Sequence, residues 1–205
     1  MMTRGFLPLL TLIIAAGGAA LAWETDGLRA FTTAGARQLA IERAPLSLPD
    51  VQLRDQNDHI FSLSAYRGKP VLVDFIYTRC PTICGMLGDD FAHVAELAGP
   101  GGQDGSIDLL SISFDPQNDD REALKLYGER FGASARRWRI ASPVDQRGLT
   151  ALLRTFGVVV IPDGMGGFIH NSAIYVVDAR GRLVRILDPE APPQLLAAAL
   201  RAATP

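Results

Sequence analysis

The most constraining feature of this chain is the run Val71 to Tyr77, VLVDFIY. An apolar stretch without alternation, rich in β-branched and aromatic residues, reads as a strand buried on both faces. Such a strand needs cover on both sides, so helices must pack on both faces of its sheet. The chain continues at once into Thr78-Arg79-Cys80-Pro81-Thr82-Ile83-Cys84. Pro81 suits the first helical position, where a missing N–H loses no partner. Met86, Leu87, Phe91, Val94 and Leu97 then recur at helical spacing, up to Gly99-Pro100-Gly101-Gly102.

Other segments fit the same architecture. Ile107 to Phe114 is a second apolar strand, followed by a turn at Asp115 to Asp119 and a helix over Arg121 to Phe131. Trp138 to Ala141 reads as a short strand, Asp145 to Phe156 as a helix and Val158 to Ile161 as an apolar segment. The glycines of Ile161 to Gly167 suggest a mobile loop. Ser172 to Asp178 and Arg182 to Leu187 flank Ala179-Arg180-Gly181 as a hairpin, and Leu195 to Ala203 reads as a closing helix. Upstream, Val51 and Leu53, the polar Asp55 to Asp58, then Ile60 and Leu63 predict an N-terminal β-hairpin. The fold class is therefore α/β, a mixed sheet flanked by helices.

The first residues are of another kind. Phe6 to Trp23 carries no charge and ends in Ala20-Leu21-Ala22, a pattern a signal peptidase can cut. Its eighteen residues make about 27 Å of helix, enough to cross a hydrocarbon core. Residues 1–22 are expected to be a signal peptide or a membrane anchor, 23–45 a spacer with helical character at Ala34 to Ile41, and 46–205 the folded domain. Either leader puts the domain outside the cytoplasm, in a periplasmic compartment where thiols tend to oxidise. Basic and acidic residues number 20 and 22, with no basic block beyond Arg136, Arg137 and Arg139 around Trp138, so no nucleic acid is expected as a partner. Trp138 itself reads as a core aromatic anchored near the surface.

The chemistry centres on the only two cysteines, Cys80 and Cys84. A strand–helix junction exposes side chains, and a helix N-terminus favours thiolate over thiol. Residues four apart share a helical face, so two sulfurs can meet at a soft site suited to Cu(I) or Zn(II). Three other uses of the pair stay open: a structural disulfide, a redox dithiol with one cysteine as nucleophile and the other as resolving thiol, and a zinc site with one open position. Of three histidines, His93 falls on the opposite side of the helix and His59 follows a polar turn. His170 ends the Gly-rich loop and immediately precedes a strand, as either a ligand or a structural histidine. Asp74, inside the buried strand, reads as a paired structural carboxylate or one that tunes the cysteines. Arg79 reads as a thiol modulator or the partner of an acidic group.

VDFIYTRCPTIC resembles the signature of the SCO/SenC copper proteins, which are thioredoxin-like domains on the outer face of a membrane. SISFDPQNDD, HNSAIYVVDARGRLVRI and the lead-in LPDVQLRDQNDHIFSLSAYRGKPVLV extend the resemblance over Leu46 to Leu187. It implies a metallochaperone binding one copper ion, as Cu(I) and also Cu(II), through Cys80, Cys84 and His170. It further implies delivery to the binuclear copper centre of cytochrome c oxidase, a copper donor protein upstream, and thiol-reductase activity toward that centre in some members. The alternative is an exported thiol-disulfide oxidoreductase or thiol peroxidase. Where many members carry an acidic residue before the ligand histidine, this chain has Ile169; Asp163 and Met165 are the candidate substitutes in the adjacent loop. That loop is expected to fold over the site when copper binds.

Overall fold

The computed structural model describes residues 6–27, 30–80, 83–97, 107–133 and 137–189, without the side chains of residues 6, 7, 83, 84 and 97. The chain forms two compact units, Met1–Ala44 and Pro45–Pro205. In the first, helix α1 spans Phe6–Glu24 and helix α2 spans Thr33–Arg43. The Thr32 hydroxyl starts α2 by accepting the Gly35 amide at 3.0 Å, an N-cap that satisfies a donor the helix leaves orphaned. Among the described residues no helix is long and apolar enough to cross a membrane.

The second unit is built on one eight-stranded mixed sheet. Its strands are β1 (Leu46–Ser47), β2 (Gln52–Asp55), β3 (Ile60–Ser62), β4 (Val71–Ile76), β5 (Asp108–Ser113) and β6 (Trp138–Pro143), with β9 (Ile174–Val177) and β10 (Arg182–Leu187). The spatial order is β1-β10-β9-β4-β5-β6-β2-β3. β4, β5 and β6 run parallel, and the other pairs are antiparallel. Helices α3 (Ile83–Leu97), α4 (Arg121–Arg130) and α5 (Gln146–Phe156) provide the crossovers. A separate two-stranded sheet joins β7 (Val160–Pro162) to β8 (Phe168–His170).

β4 is central and buried along its whole length. Alternation assigns its side chains to two cores. On one face Phe75 meets Phe156 of α5 and Tyr175 of β9, with ring centroids 5.1 and 5.8 Å apart. On the other, Trp138 packs against Phe91 of α3 at 5.7 Å and donates its indole N–H to Ser111 at 2.9 Å. Asp74 stands opposite Ser111 in register and is wholly buried. Asp145 caps α5 by accepting the Gly148 amide at 2.7 Å. Gly157 ends that helix in the left-handed region, at φ 70°.

Several expectations need correction. Ahead of the expected hairpin, Leu46 and Ser47 form a further strand, with Leu46 paired to Leu183 on β10. Leu63 begins a 3-10 helix, Leu63–Tyr66, instead of extending the hairpin. Met86 is exposed although it shares helical spacing with the buried Leu87 and Phe91. Trp138 is deep in the core rather than near the surface, because its N–H finds Ser111 inside. Asp74 has no ion-pair partner among the described residues. Ile161 and Pro162, read as part of a loop, belong to β7, and the glycines that follow form the turn of the β7–β8 hairpin, closed by the Asp163 amide to the Gly167 carbonyl at 3.0 Å. His170 is the last residue of β8 rather than a loop residue before a strand. Pro81, Gly99 to Gly102, Arg136 and the expected helix over Leu195 to Ala203 lie outside the described residues.

Candidate metal centre

Beyond the end of β4 the chain turns at once, with the Cys80 amide donating to the Tyr77 carbonyl at 3.1 Å. This turn leaves Cys80 buried at the floor of an open cleft of about 560 Å³. The opposite wall is the β7–β8 hairpin, which contributes Asp163, Met165, Ile169 and His170. The structure thus brings Cys80 and His170 to one cleft, despite their separation along the chain. Cys84 is in the first turn of α3; its side chain lies outside the described residues. Among the described residues no three His, Cys, Asp or Glu side chains gather as a metal cluster.

His170 is held by aromatic packing. Its ring meets Phe114 at 4.9 Å and 62°, and Tyr77 at 6.2 Å and 79°. Phe168 closes the cluster edge-on to both, at 5.5 and 5.3 Å. Nδ1 lies 3.3 Å from the Asn171 carbonyl and 3.4 Å from the Ser172 hydroxyl. A carbonyl only accepts, so a proton on Nδ1 leaves the lone pair on Nε2, the arrangement typical of a ligating imidazole. Burial among the rings lowers the pKa of His170, and the Asn171 carbonyl opposes that shift. The neutral form is the one that binds a metal. Asn171 secures the hairpin from behind, accepting the Val159 amide at 2.6 Å and donating to the Gly157 carbonyl at 3.0 Å.

The residues just before Cys80 are latched to the turn after β5. The Asp119 carboxylate accepts the Thr78 amide at 3.0 Å, the Thr78 hydroxyl at 2.6 Å and the Ser113 hydroxyl at 2.5 Å. Burial raises its pKa, and the bonds from Ser113 and Thr78 counter that shift. Arg79 donates to Asp115 at 2.8 Å, and Asn118 shares the same carboxylate. Arg79 therefore has the acidic partner anticipated for it. The positioning role of Asp115 and Asp119 was not apparent from the sequence; two acids in a turn after a buried strand carry no signal of which distant loop they hold.

The remaining candidates divide. Asp163 lines the cleft, but its Oδ1 accepts the Met165 and Gly167 amides at 2.7 and 2.9 Å, which holds its carboxyl below the usual range. Met165 stands at the apex of the turn, 88% exposed. His59 and His93 are both exposed, and neither lines the cleft. Asp74 is placed in the interior beneath the sheet face covered by α3, where burial pushes its carboxyl up to about 7. The Ser111 hydroxyl is near but outside hydrogen-bond geometry, and it offsets only part of that rise.

Known proteins share this fold. Bradyrhizobium japonicum ScoI, solved with copper bound, superposes with a TM-score of 0.63 at 25% identity, covering 77% of this chain and 99% of that one. A SCO1/SenC family lipoprotein of Bacillus anthracis gives a TM-score of 0.70 at 23% identity, covering 78% and 98%. The thioredoxin-like mixed sheet expected from the sequence is therefore the fold adopted. The SCO1 protein homolog of Bacillus subtilis is 28% identical over 135 residues, 64% of this chain and 68% of the relative. The family model described as SCO1/SenC matches residues 42–204, and with that match over most of its length this chain belongs to the SCO1/SenC family.

Proposed function

We propose that this protein is a copper-binding assembly factor that carries one copper ion on Cys80, Cys84 and His170 and passes it to a protein acceptor. The shared cleft supports this reading: a buried cysteine and a neutral imidazole from distant parts of the chain line one opening. Two thiolates and one nitrogen suit three-coordinate Cu(I), which can be accepted and released by ligand exchange. The copper-bound state of the Bradyrhizobium relative agrees with this cargo.

The acceptor in this reading is the copper-bearing subunit of cytochrome c oxidase, loaded at its binuclear centre, and a separate protein donates the metal. The exchange takes place outside the cytoplasm, in the periplasm, reached through the leader at residues 1–22. The reduced cysteine pair is also suited to prepare that acceptor: two thiols close to a disulfide while the acceptor's disulfide opens to two thiols, a balanced two-electron exchange.

Anaerobic Cu(I) titration of the reduced full-length protein tests the ligand set. One equivalent should bind, with tight binding lost in Cys80→Ala and Cys84→Ala and weakened in His170→Ala. Stoichiometric tight copper in either cysteine variant would overturn the assignment. Reduction of insulin by the copper-free protein, lost in either variant, would favour the oxidoreductase reading instead.

A further inference from the structure

Among the described residues of the second unit, Met165 is the most exposed large apolar side chain, at 88%, and it lines the same cleft as Cys80 and His170. Exposing so much apolar surface at the tip of a turn brings no packing benefit. The turn is nevertheless built to hold this residue in place. Gly164 and Gly166 flank it at φ 75° and 90°, in the left-handed region that favours glycine. The Met165 amide is fixed on Asp163 at 2.7 Å. The Asp163 carboxylate serves the turn through Oδ1, which accepts the Met165 and Gly167 amides, and the thioether is the turn's soft donor. A thioether on an unbranched, flexible stem is a neutral ligand matched to Cu(I).

We propose that Met165 is the entry ligand of the copper cleft, taking Cu(I) at the rim and handing it inward to Cys80 and His170. This rests on the copper-carrying function proposed above. The metal stays Cu(I) throughout. A bond from copper to a soft ligand of the donor breaks as the Met165 sulfur–copper bond forms. The Cys80 thiolate then replaces the thioether, and its thiol proton leaves to solvent. Met165 thus governs the rate of loading much more than the final affinity.

The test is the rate of Cu(I) transfer from its bicinchoninate complex to reduced full-length protein, compared for wild type, Met165→Leu and Met165→Ala. Both variants should load roughly tenfold more slowly, with equilibrium affinity changed by less than about threefold. Unchanged rates in both would overturn the inference while leaving the ligand set intact. A wild-type rate in the Leu variant and a slow one in the Ala variant would also overturn it, because apolar contact, shared with the exposed Ile161 and Ile169, would then be the working property. Wild type that takes up no Cu(I) would sink the ligand set and this inference together. A second readout uses the Cys80→Ser/Cys84→Ser double variant labelled at its methionine methyl carbons, in which no thiolate remains to take the handover. Substoichiometric Cu(I) should shift the Met165 methyl resonance, and an unmoved resonance would overturn the capture step.

Discussion

The His170 ring packs edge-on against Phe114, 4.9 Å between centroids and inclined at 62°. Phe114 directly follows β5, so this contact ties the proposed nitrogen ligand to the rigid centre of the sheet. Phe114→Leu keeps most of the apolar volume but removes the flat surface that orients the imidazole. Groups that orient a ligand are worth about 10–100-fold in metal affinity. Phe114→Leu should therefore weaken Cu(I) binding at least tenfold in a chelator competition while the far-UV spectrum stays unchanged.

Asp119 and Arg79 hold the same loop with unequal force. Asp119 is buried and accepts three hydrogen bonds, so Asp119→Ala strands the Thr78 and Ser113 donors. Leaving buried donors unsatisfied costs about 2–4 kcal/mol in total. The Arg79 side chain is half exposed, and its ion pair with Asp115 is screened by water. Urea denaturation should show a large loss for Asp119→Ala and almost none for Arg79→Ala. Equal losses would contradict this ranking.

Asp74 predicts a pH dependence of stability. Its carboxyl is raised to about 7 in the fold from 3.8 in an ordinary setting. Between those values the folded chain keeps a proton that the unfolded chain has lost. The stabilisation is complete below about pH 4 and is lost as pH rises toward 7, at up to about 1.4 kcal/mol per pH unit. Asp74→Asn, neutral at every pH, should flatten the trend in urea midpoints measured between pH 5 and 8. A wild-type profile that stays flat would refute the burial argument.

Gly167 has no room for a side chain. A Cβ there would sit 2.6 Å from Asp163 Oδ2 and 3.3 Å from the Tyr77 hydroxyl. The Asp163 carboxylate cannot swing away without releasing the Met165 and Gly167 amides. Gly167→Ala should therefore open the turn, seen as faster amide exchange at Met165, and slow Cu(I) loading. Unchanged exchange there would show that the turn tolerates the methyl group.

Much of this architecture was legible in the chain. VLVDFIY and IDLLSISF could only be interior strands, because apolar runs of that length have no solvent face. The helix read over Asp145 to Phe156 is α5, Gln146–Phe156, with Asp145 and Gly157 as its caps. Cys80 and Cys84 stood out because their neighbours place them at a strand–helix junction. β1 was missed because two residues carry no period, and its pairing with β10 crosses most of the domain. The β7–β8 hairpin was read as a loop because its glycines carry no strand period; the Asp163 carboxylate that accepts its amides is visible only once folded.

Local pattern alone determined the long interior strands, most of the helices and the cysteine pair, since each depends on residues within a few positions of one another. Tertiary structure decided which histidine shares a cleft with Cys80, which acids brace the loop before it, and that Asp74 lies buried without an ion partner among the described residues. Those outcomes depend on strand order and on packing between Phe114, Tyr77 and Phe168. Contacts between residues far apart in a chain leave no periodic mark in it.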